Sequence, residues 1–375
     1  MFNTVKIYLL TENEFRKIKS DWNNLLDKSN LQSFFLKWEW LYSYWETVQD
    51  KNSRLNIYIF KVDSKIVGIL PLYLKKATFY SIPIKKLNFL GNDVASDYMD
   101  IICLPDYQEL CCNAFYKNVI RDRNKYSGFT VLEFKSLTED SYLLKFLKNK
   151  QRILLSNEMI CPRVLLPEKY TDYLKNYKHK RRWQIKDRER QIYKMFDSVN
   201  VEFCTLKDSK YLIDTLFNLH KQRWEIARNE KSTFYNEYRK KFNNAFISRC
   251  KEDDVLFSLV KINNEIASIM YMFIYKNNLF YYQNGWLPKY SKYSIGLFHI
   301  YKVIDYSINK KYDTFDLLRG DENYKLKLKS ENRKTYTLLY FNISFTGTII
   351  RILYTIIQNI WPVIKKIYFL KNSKK

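Results

Sequence analysis

Apolar and polar residues alternate in two rhythms along this chain, and the rhythms take turns. Residues 5–10 form a short apolar run, read as a first strand. Thr11 follows, with Glu14 three residues on, the spacing of a helix capping box. A helix then carries Leu36, Trp40, Leu41, Tyr44 and Trp45 on one face. Residues 55–62 and 66–74 are β-rich runs around a turn at Asp63–Ser64–Lys65, which predicts a hairpin. Further strands are expected at 87–90, 99–103, 129–134 and 153–155, with helices after Pro105 and near 143–147.

The second half repeats this order. A long basic helix is expected over 170–194, a strand over 199–204, and helices over 208–228 and 235–250. A hairpin follows over 255–262 and 266–275, then a strand at 279–285, a helix at 294–309, and strands at 314–317 and 336–343. Each half reads strand, two helices, hairpin, strand, helix, strand. The fold class is therefore α/β with mixed sheets, built from a duplicated unit. We divide the chain at 1–160 and 161–345, with a C-terminal apolar and basic helix over 346–375.

That tail stands apart. From Thr335 to Ile364 the only charged residue is Arg351, and isoleucines then recur at helical spacing up to a lysine-rich end. The apolar stretch between Arg351 and Lys365 is too short to span a bilayer comfortably, and Pro362 is expected to kink or break it. Two readings follow: a helix packed on the body, or an interfacial helix on an anionic leaflet.

Composition adds a constraint. A formal net charge of +25 suits an anionic partner: nucleic acid, an anionic membrane or a phosphorylated ligand. Base-composition bias, with many Lys, Asn, Ile and Tyr, is the competing explanation. Six cysteines without CxxC spacing and three histidines predict neither a structural zinc site nor any other metal. The N-terminus reads as a strand and not a secretory leader, so a cytoplasmic protein is expected, peripheral at the inner face of the membrane if the tail is interfacial.

Chemistry concentrates in residues 279–325. Ser294 is placed to cap a helix whose first turn contains Gly296, where free amides and a positive dipole end suit a pyrophosphate. Past the strand at 314–317, Arg319, Gly320, Asp321, Tyr324 and Lys325 crowd one loop, as α/β proteins place ligand groups. On the 208–228 helix, His220 and Arg223 continue the buried stripe, with Trp224 beside them. On the basic helix, Arg181 and Arg188 fall on the face marked by Leu174, Tyr177, Ile185 and Ile192.

These residues resemble a known family. The match runs through Leu219–His220–Lys221–Gln222–Arg223–Trp224, Ile266–Ala267–Ser268, Tyr293–Ser294–Ile295–Gly296 and the stretch from Phe315 to Lys325. In the first half, residues 35–45, 67–72 and 90–98 fit as well. The pattern is similar to the GNAT acyltransferase branch associated with cellulose and other polysaccharide biosynthesis, a duplicated relative of Fem-type transferases. The resemblance implies a double GNAT fold that uses acetyl-CoA or another acyl-CoA as donor and a small-molecule or glycan amine as acceptor. It implies donor binding by Tyr293, Ser294 and Gly296. Arg181, Arg223, Trp224, Arg319 and Lys325 are assigned to substrate binding, Tyr324 to protonation of the leaving thiolate and Asp321 to the base. The chain departs from the common Gln/Arg-x-x-Gly-x-Gly/Ala signature and keeps one glycine, Gly296. Fem-type relatives use aminoacyl-tRNA, so a tRNA-dependent transferase is the alternative, and a non-catalytic accessory module on the same fold is a third.

Overall fold

The computed structural model describes residues 4–48, 50–94, 96–121, 128–206, 209–228 and 236–372. In the first half the elements run β1 (Lys6–Leu9), α1 (Glu12–Lys17), α2 (Lys19–Lys28), α3 (Trp38–Val48), β2 (Ser53–Leu55), β3 (Tyr58–Val62), β4 (Lys65–Leu70), β5 (Leu72–Phe79), β6 (Ile82–Phe89), β7 (Ile102–Cys103), α4 (Gln108–Phe115), β8 (Val131–Thr138), α5 (Tyr142–Leu147) and β9 (Ile153–Leu165). The second half continues with α6 (Tyr170–Lys175), α7 (His179–Met195), β10 (Val199–Cys204), α8 (Ser209–Arg228), α9 (Glu237–Ile247), β11 (Val255–Ile262), β12 (Glu265–Tyr275), β13 (Asn278–Trp286), α10 (Ile295–Asn309), β14 (Thr314–Asp316), α11 (Asn323–Leu326), β15 (Glu331–Phe341) and α12 (Phe345–Asn372). Asp208 and Tyr235, where two of the predicted helices begin, lie outside the described residues.

The two halves repeat their central hairpin in detail. Lys61 pairs with Ile66 and Val62 with Lys65, with a bulge between Phe60 and Lys61. Lys261 pairs with Ile266 and Ile262 with Glu265, with a bulge between Val260 and Lys261. The turns need residues that tolerate positive φ, and Asp63 (53°), Asn263 (48°) and Asn264 (65°) supply it. At the N-terminus, the Thr11 side chain accepts from Glu14 N while the Glu14 carboxylate accepts from Thr11 N, so the capping box forms as expected.

Two sheets result. One is four-stranded, in the order β1-β3-β4-β7, and the other eleven-stranded, in the order β10-β11-β12-β13-β14-β9-β15-β8-β6-β5-β2. The predicted strand over 66–74 divides at Pro71, and its two parts enter different sheets as β4 and β5. The large sheet crosses both halves because β9 and β15 are shared. β15 pairs with β8 on one side and β9 on the other, and β9 pairs with β14. The 160/161 position read as a boundary falls inside β9.

The halves also meet through an aromatic seam. Phe34 stacks on Phe273 at 4.5 Å, and Trp40 meets Phe242 edge-on at 4.7 Å. The α3 face predicted from Trp40, Leu41, Tyr44 and Trp45 is buried there. Such rings supply large apolar area with defined geometry. Beside the seam, Lys37 of the first half and Asp254 of the second form an ion pair with both side chains buried.

Two expectations need correction. The basic helix over 170–194 is two helices, α6 and α7, separated at Asn176–Lys178. The break is held by tertiary contacts: Tyr173 Oη bonds Tyr177 Oη at 2.8 Å and donates to Leu328 O. The tail helix starts earlier, at Phe345, and runs past Pro362 to Asn372. Proline removes one hydrogen bond from that ladder without ending it.

The Lys37–Asp254 pair gives a direct stability test. Replacing Asp254 by Ala leaves a buried lysine without its counter-charge and should cost roughly 3 kcal/mol. Urea unfolding of the two proteins reads this; a loss below about 1 kcal/mol would mean the pair does not tie the halves.

Candidate functional site

The site begins where a strand pair stops. β13 and β14 run parallel and pair only at Asn278–Thr314, Leu279–Phe315 and Phe280–Asp316. Beyond Asp316 the chain turns toward β9, with Leu317 N bonding Pro162 O and Gly320 N bonding Ile160 O. β13 continues to Trp286 paired only with β12 on its other edge, so a V opens between its far half and the 317–325 loop. A bulge in β13 adds to this: Tyr271 pairs with Gln283 and Met272 with Tyr281, which leaves Tyr282 as the extra residue.

The first half has the corresponding parallel pair, with β6 and β8 joined at Lys86–Val131, Leu87–Leu132 and Asn88–Glu133. There the chain enters its own gap, and Met99 N bonds Ser136 O. The open cleft belongs to the second half.

Two cavities of about 250 and 200 Å³ occupy the V and share Arg223, Asn284 and Tyr324 as walls. Helix α8 roofs them. Its Leu212, Ile213, Leu216 and Phe217 are buried, and it lies directly on β13 because Gly285 has no side chain. A Cβ there would stand 2.7 Å from Leu219 Cβ and 2.9 Å from His220 N. This approach delivers the next turn of α8 to the cavities. Trp224 Nε1 donates to His220 Nε2 at 3.1 Å, and the two rings stack. Arg223 Nη1 donates to Asn284 Oδ1 at 2.6 Å, and its guanidinium lies over the Trp286 ring. Among the described residues no carboxylate pairs with Arg223.

The 317–325 loop forms the opposite wall, and the first half holds it in place. Leu318 sits at φ 55°, a strained position for a branched residue. Its amide donates to Asp316 Oδ1 at 2.8 Å, and Tyr98 Oη donates to the same oxygen at 2.7 Å. Arg319 lines the cavity but is committed to Asp97 and Ser96 O. Lys325 is buried and donates to Arg319 O at 2.8 Å, closing the loop on itself around Gly320 (φ 129°). Tyr324 faces both cavities. Asp321 is exposed and outside the lining, whereas its neighbour Glu322 is part of it.

At the other end stands the start of α10. Ser294 is not its side-chain cap: it adopts φ 53°, ψ 43° and makes no capping bond. A cap needs extended backbone to aim its oxygen at the first turn, and the 3₁₀ turn of Pro288–Tyr293 delivers the chain in a left-handed bend instead. Ser294 O accepts from Leu297 and Phe298 N, so the amides of Ile295 and Gly296 keep no acceptor among the described residues. Ser291, Ser294 and Gly296 line the cavity there. Tyr293 turns away and packs on Phe196 at 5.0 Å. These donors, with Arg223, fit an anionic group such as a phosphate.

Arg181 lies on α7, outside both cavities. Its Nη2 and the Arg188 Nη1 are buried without acceptors among the described residues. Burial, and then the neighbouring Arg181, holds the Arg188 pKa below its ordinary value. Of the residues singled out from sequence, the cavities gather Ser294, Gly296, His220, Arg223, Trp224, Arg319, Tyr324 and Lys325. They also contain Tyr281, Tyr282 and Asn284 from the strand expected at 279–285, and Trp286 just past its expected end, none of which stands out in the sequence as a site residue. Burial raises the Tyr281 phenol well above its usual range, with Tyr324 adding to the effect, and pushes Tyr282 up to about 12. Both are neutral donors at physiological pH. Among the described residues no cluster of His, Cys, Asp and Glu could hold a metal.

Asp316 carries a pH signature. Burial raises its carboxyl from 3.8 to about 6, against the bonds from Tyr98 and Leu318 that favour the anion. The raised folded pKa means a contribution present below the unfolded pKa and lost as pH rises through about 6. Asp316→Asn keeps both acceptor bonds and removes the buried charge. Urea unfolding should show the variant gaining on the native chain by about 3 kcal/mol between acid and neutral pH. Identical pH profiles would contradict a buried titrating Asp316.

The chain can now be set beside known proteins. Residues 179–326, from the start of α7 to the end of α11, match the acetyltransferase (GNAT) domain family model. No curated protein matches. Among solved structures, FemX superposes with a TM-score of 0.61 at 9% identity, over 92% of this chain and 100% of that one. The C-terminal domain of a putative lysylphosphatidylglycerol synthetase from Agrobacterium fabrum gives 0.55 at 8% identity, over 92% and 96%. L-PGS from Bacillus licheniformis gives 0.51 at 12%, over 89% and 95%. At these identities the likeness is one of fold. The chain has a GNAT-like fold, and the stretch of its second half that matches the acetyltransferase domain model contains the open cleft.

Proposed function

We propose that the second half transfers an acyl group, most simply acetyl, from an acyl-CoA thioester to an amine. The amine we have in view is an amino-sugar or related glycan in surface-polysaccharide synthesis at the cytoplasmic side of the membrane. The observation that carries the proposal is the V between β13 and β14, with anion-suited donors at one end and Tyr324 where its two cavities meet. Past Phe280 the β13 edge has no strand partner on the β14 side, so its backbone groups can bond an amide-bearing arm as an added strand would. Ile295 and Gly296 amides, the Ser291 and Ser294 hydroxyls and Arg223 suit the phosphate end of the donor.

The chemistry is direct. The amine nitrogen adds to the thioester carbonyl carbon, the carbon–sulfur bond breaks, and the amide forms as nitrogen loses a proton. Holding the two reactants in line supplies much of the rate. Tyr324 is assigned to give its proton to the departing thiolate. The lining offers His220, whose Nε2 already takes the Trp224 bond, Glu322, which pairs with Lys325 at 3.1 Å, and Asp97, which is held by Arg319, as proton acceptors. Asp321 stands outside that lining. Arg319 and Lys325 act by shaping the loop, since both already hold partners within the protein.

A second reading is an aminoacyl-tRNA-dependent transfer on the same scaffold. The half-buried Arg181 and Arg188, each with one guanidinium nitrogen lacking an acceptor among the described residues, and the +25 charge favour it. Retention of tRNA by the protein at physiological salt would support that donor.

Calorimetric titration with acetyl-CoA and with CoA, at two temperatures, separates the readings. Heat with both ligands is expected; none with either at millimolar ligand would sink the acyl-CoA proposal. With an amine acceptor in hand, Tyr324→Phe should lower kcat about 100-fold while CoA affinity stays within about twofold. An unchanged kcat removes Tyr324 from the acid role.

A further inference from the structure

The first turns of α12 dock on the large sheet by one face only. Ile350 is buried against Ile84, Val131, Leu339 and Phe341. Tyr354 packs on Phe341 at 5.7 Å and donates to Ser156 Oγ at 3.3 Å. The opposite side carries uncovered apolar residues, with the exposed Thr355 and Asn359 among them. Phe345 is 83% exposed, Ile352 54%, Ile356 45% and Ile360 48%. Successive spacings of seven, four and four residues place these on one stripe, turned well away from Ile350. Beside the docked face, Phe79 reaches Tyr354 at 6.5 Å, and Tyr80 at the same hairpin tip is 73% exposed.

A soluble chain rarely leaves such a stripe open without an occupant. Charge selects which one. From residue 345 onward there is no acidic residue, while Arg351, Lys365, Lys366, Lys371, Lys374 and Lys375 are basic. A second copy of this helix would set like charge against like. An anionic bilayer supplies apolar depth for the isoleucines and negative headgroups for the lysines. Among the described residues no helix is long and apolar enough to cross a membrane. We infer that α12 lies flat in the interface of an anionic membrane, with Phe345, Ile352, Ile356 and Ile360 inserted and Tyr80 at headgroup level. This is independent of the acyl-transfer reading.

The test is co-sedimentation of the full chain with phosphatidylcholine vesicles, with and without about 30% phosphatidylglycerol. The native chain should sediment with the anionic vesicles and largely stay in solution with the neutral ones. The double substitution Ile352→Glu and Ile356→Glu, both at exposed positions, should weaken binding at least about tenfold with an unchanged thermal midpoint. No binding by the native chain, or equal binding by the folded double variant, would overturn the inference. So would a concentration-dependent dimer in sedimentation velocity that the double substitution abolishes, since the stripe would then belong to a second copy. If the double variant loses stability, a Lys365→Gln and Lys366→Gln pair decides: binding to anionic vesicles must fall.

Discussion

Two long strands, β9 and β15, pair from Arg163–Glu331 to Ile153–Tyr340, and most of the molecule's arrangement depends on that pairing. β9 comes from the end of the first half and β15 from the end of the second. Each lies between its partner and a strand of the opposite half, β14 for β9 and β8 for β15. Neither half can complete its sheet alone. The exchange also explains why β14 is short. Once Leu317 and Gly320 turn to bond β9, β14 can no longer follow β13, and the cleft opens between them.

The site is therefore a product of both halves, although only one half bounds most of it. Ser96, Asp97 and Tyr98 of the first half hold Arg319 and Asp316. That grip maintains Leu318 in its left-handed conformation and presents Tyr324 to the cavity. Trp40 donates to Ser96 Oγ at 2.8 Å, and Ser96 Oγ donates to Gly91 O, so the grip itself rests on the aromatic seam. The same segment blocks the first half's own opening through Met99. The acetyltransferase family model matches residues 179–326, the stretch that contains the open cleft.

Local signals were legible and distant ones were not. Alternation plus Asp63 and Asn263–Asn264 located both hairpins, because turn chemistry is set by a few adjacent residues. The capping box at Thr11 was legible for the same reason. Arg319 looked like a ligand-binding arginine because its partner, Asp97, is more than two hundred positions away. The split between α6 and α7 depends on Tyr173 reaching Leu328 O, again a distant contact. Ser294 has the residue type of a cap, but the preceding 3₁₀ turn decides its backbone. Asn284 fell in an expected strand and Trp286 just beyond it, and neither stood out, since their place in the cavity depends on β14 leaving. Pairing across β9 and β15 left no mark in either strand's own pattern.

The central claim is that the V between β13 and β14 receives the acyl donor. Hydrogen–deuterium exchange of the full chain, with and without saturating acetyl-CoA, tests it most directly. The account predicts slowed exchange in residues 281–297 and 317–326 and little change in residues 28–33 and 138–145 of the first half. Protection confined to the first half, or none at saturation, would contradict it.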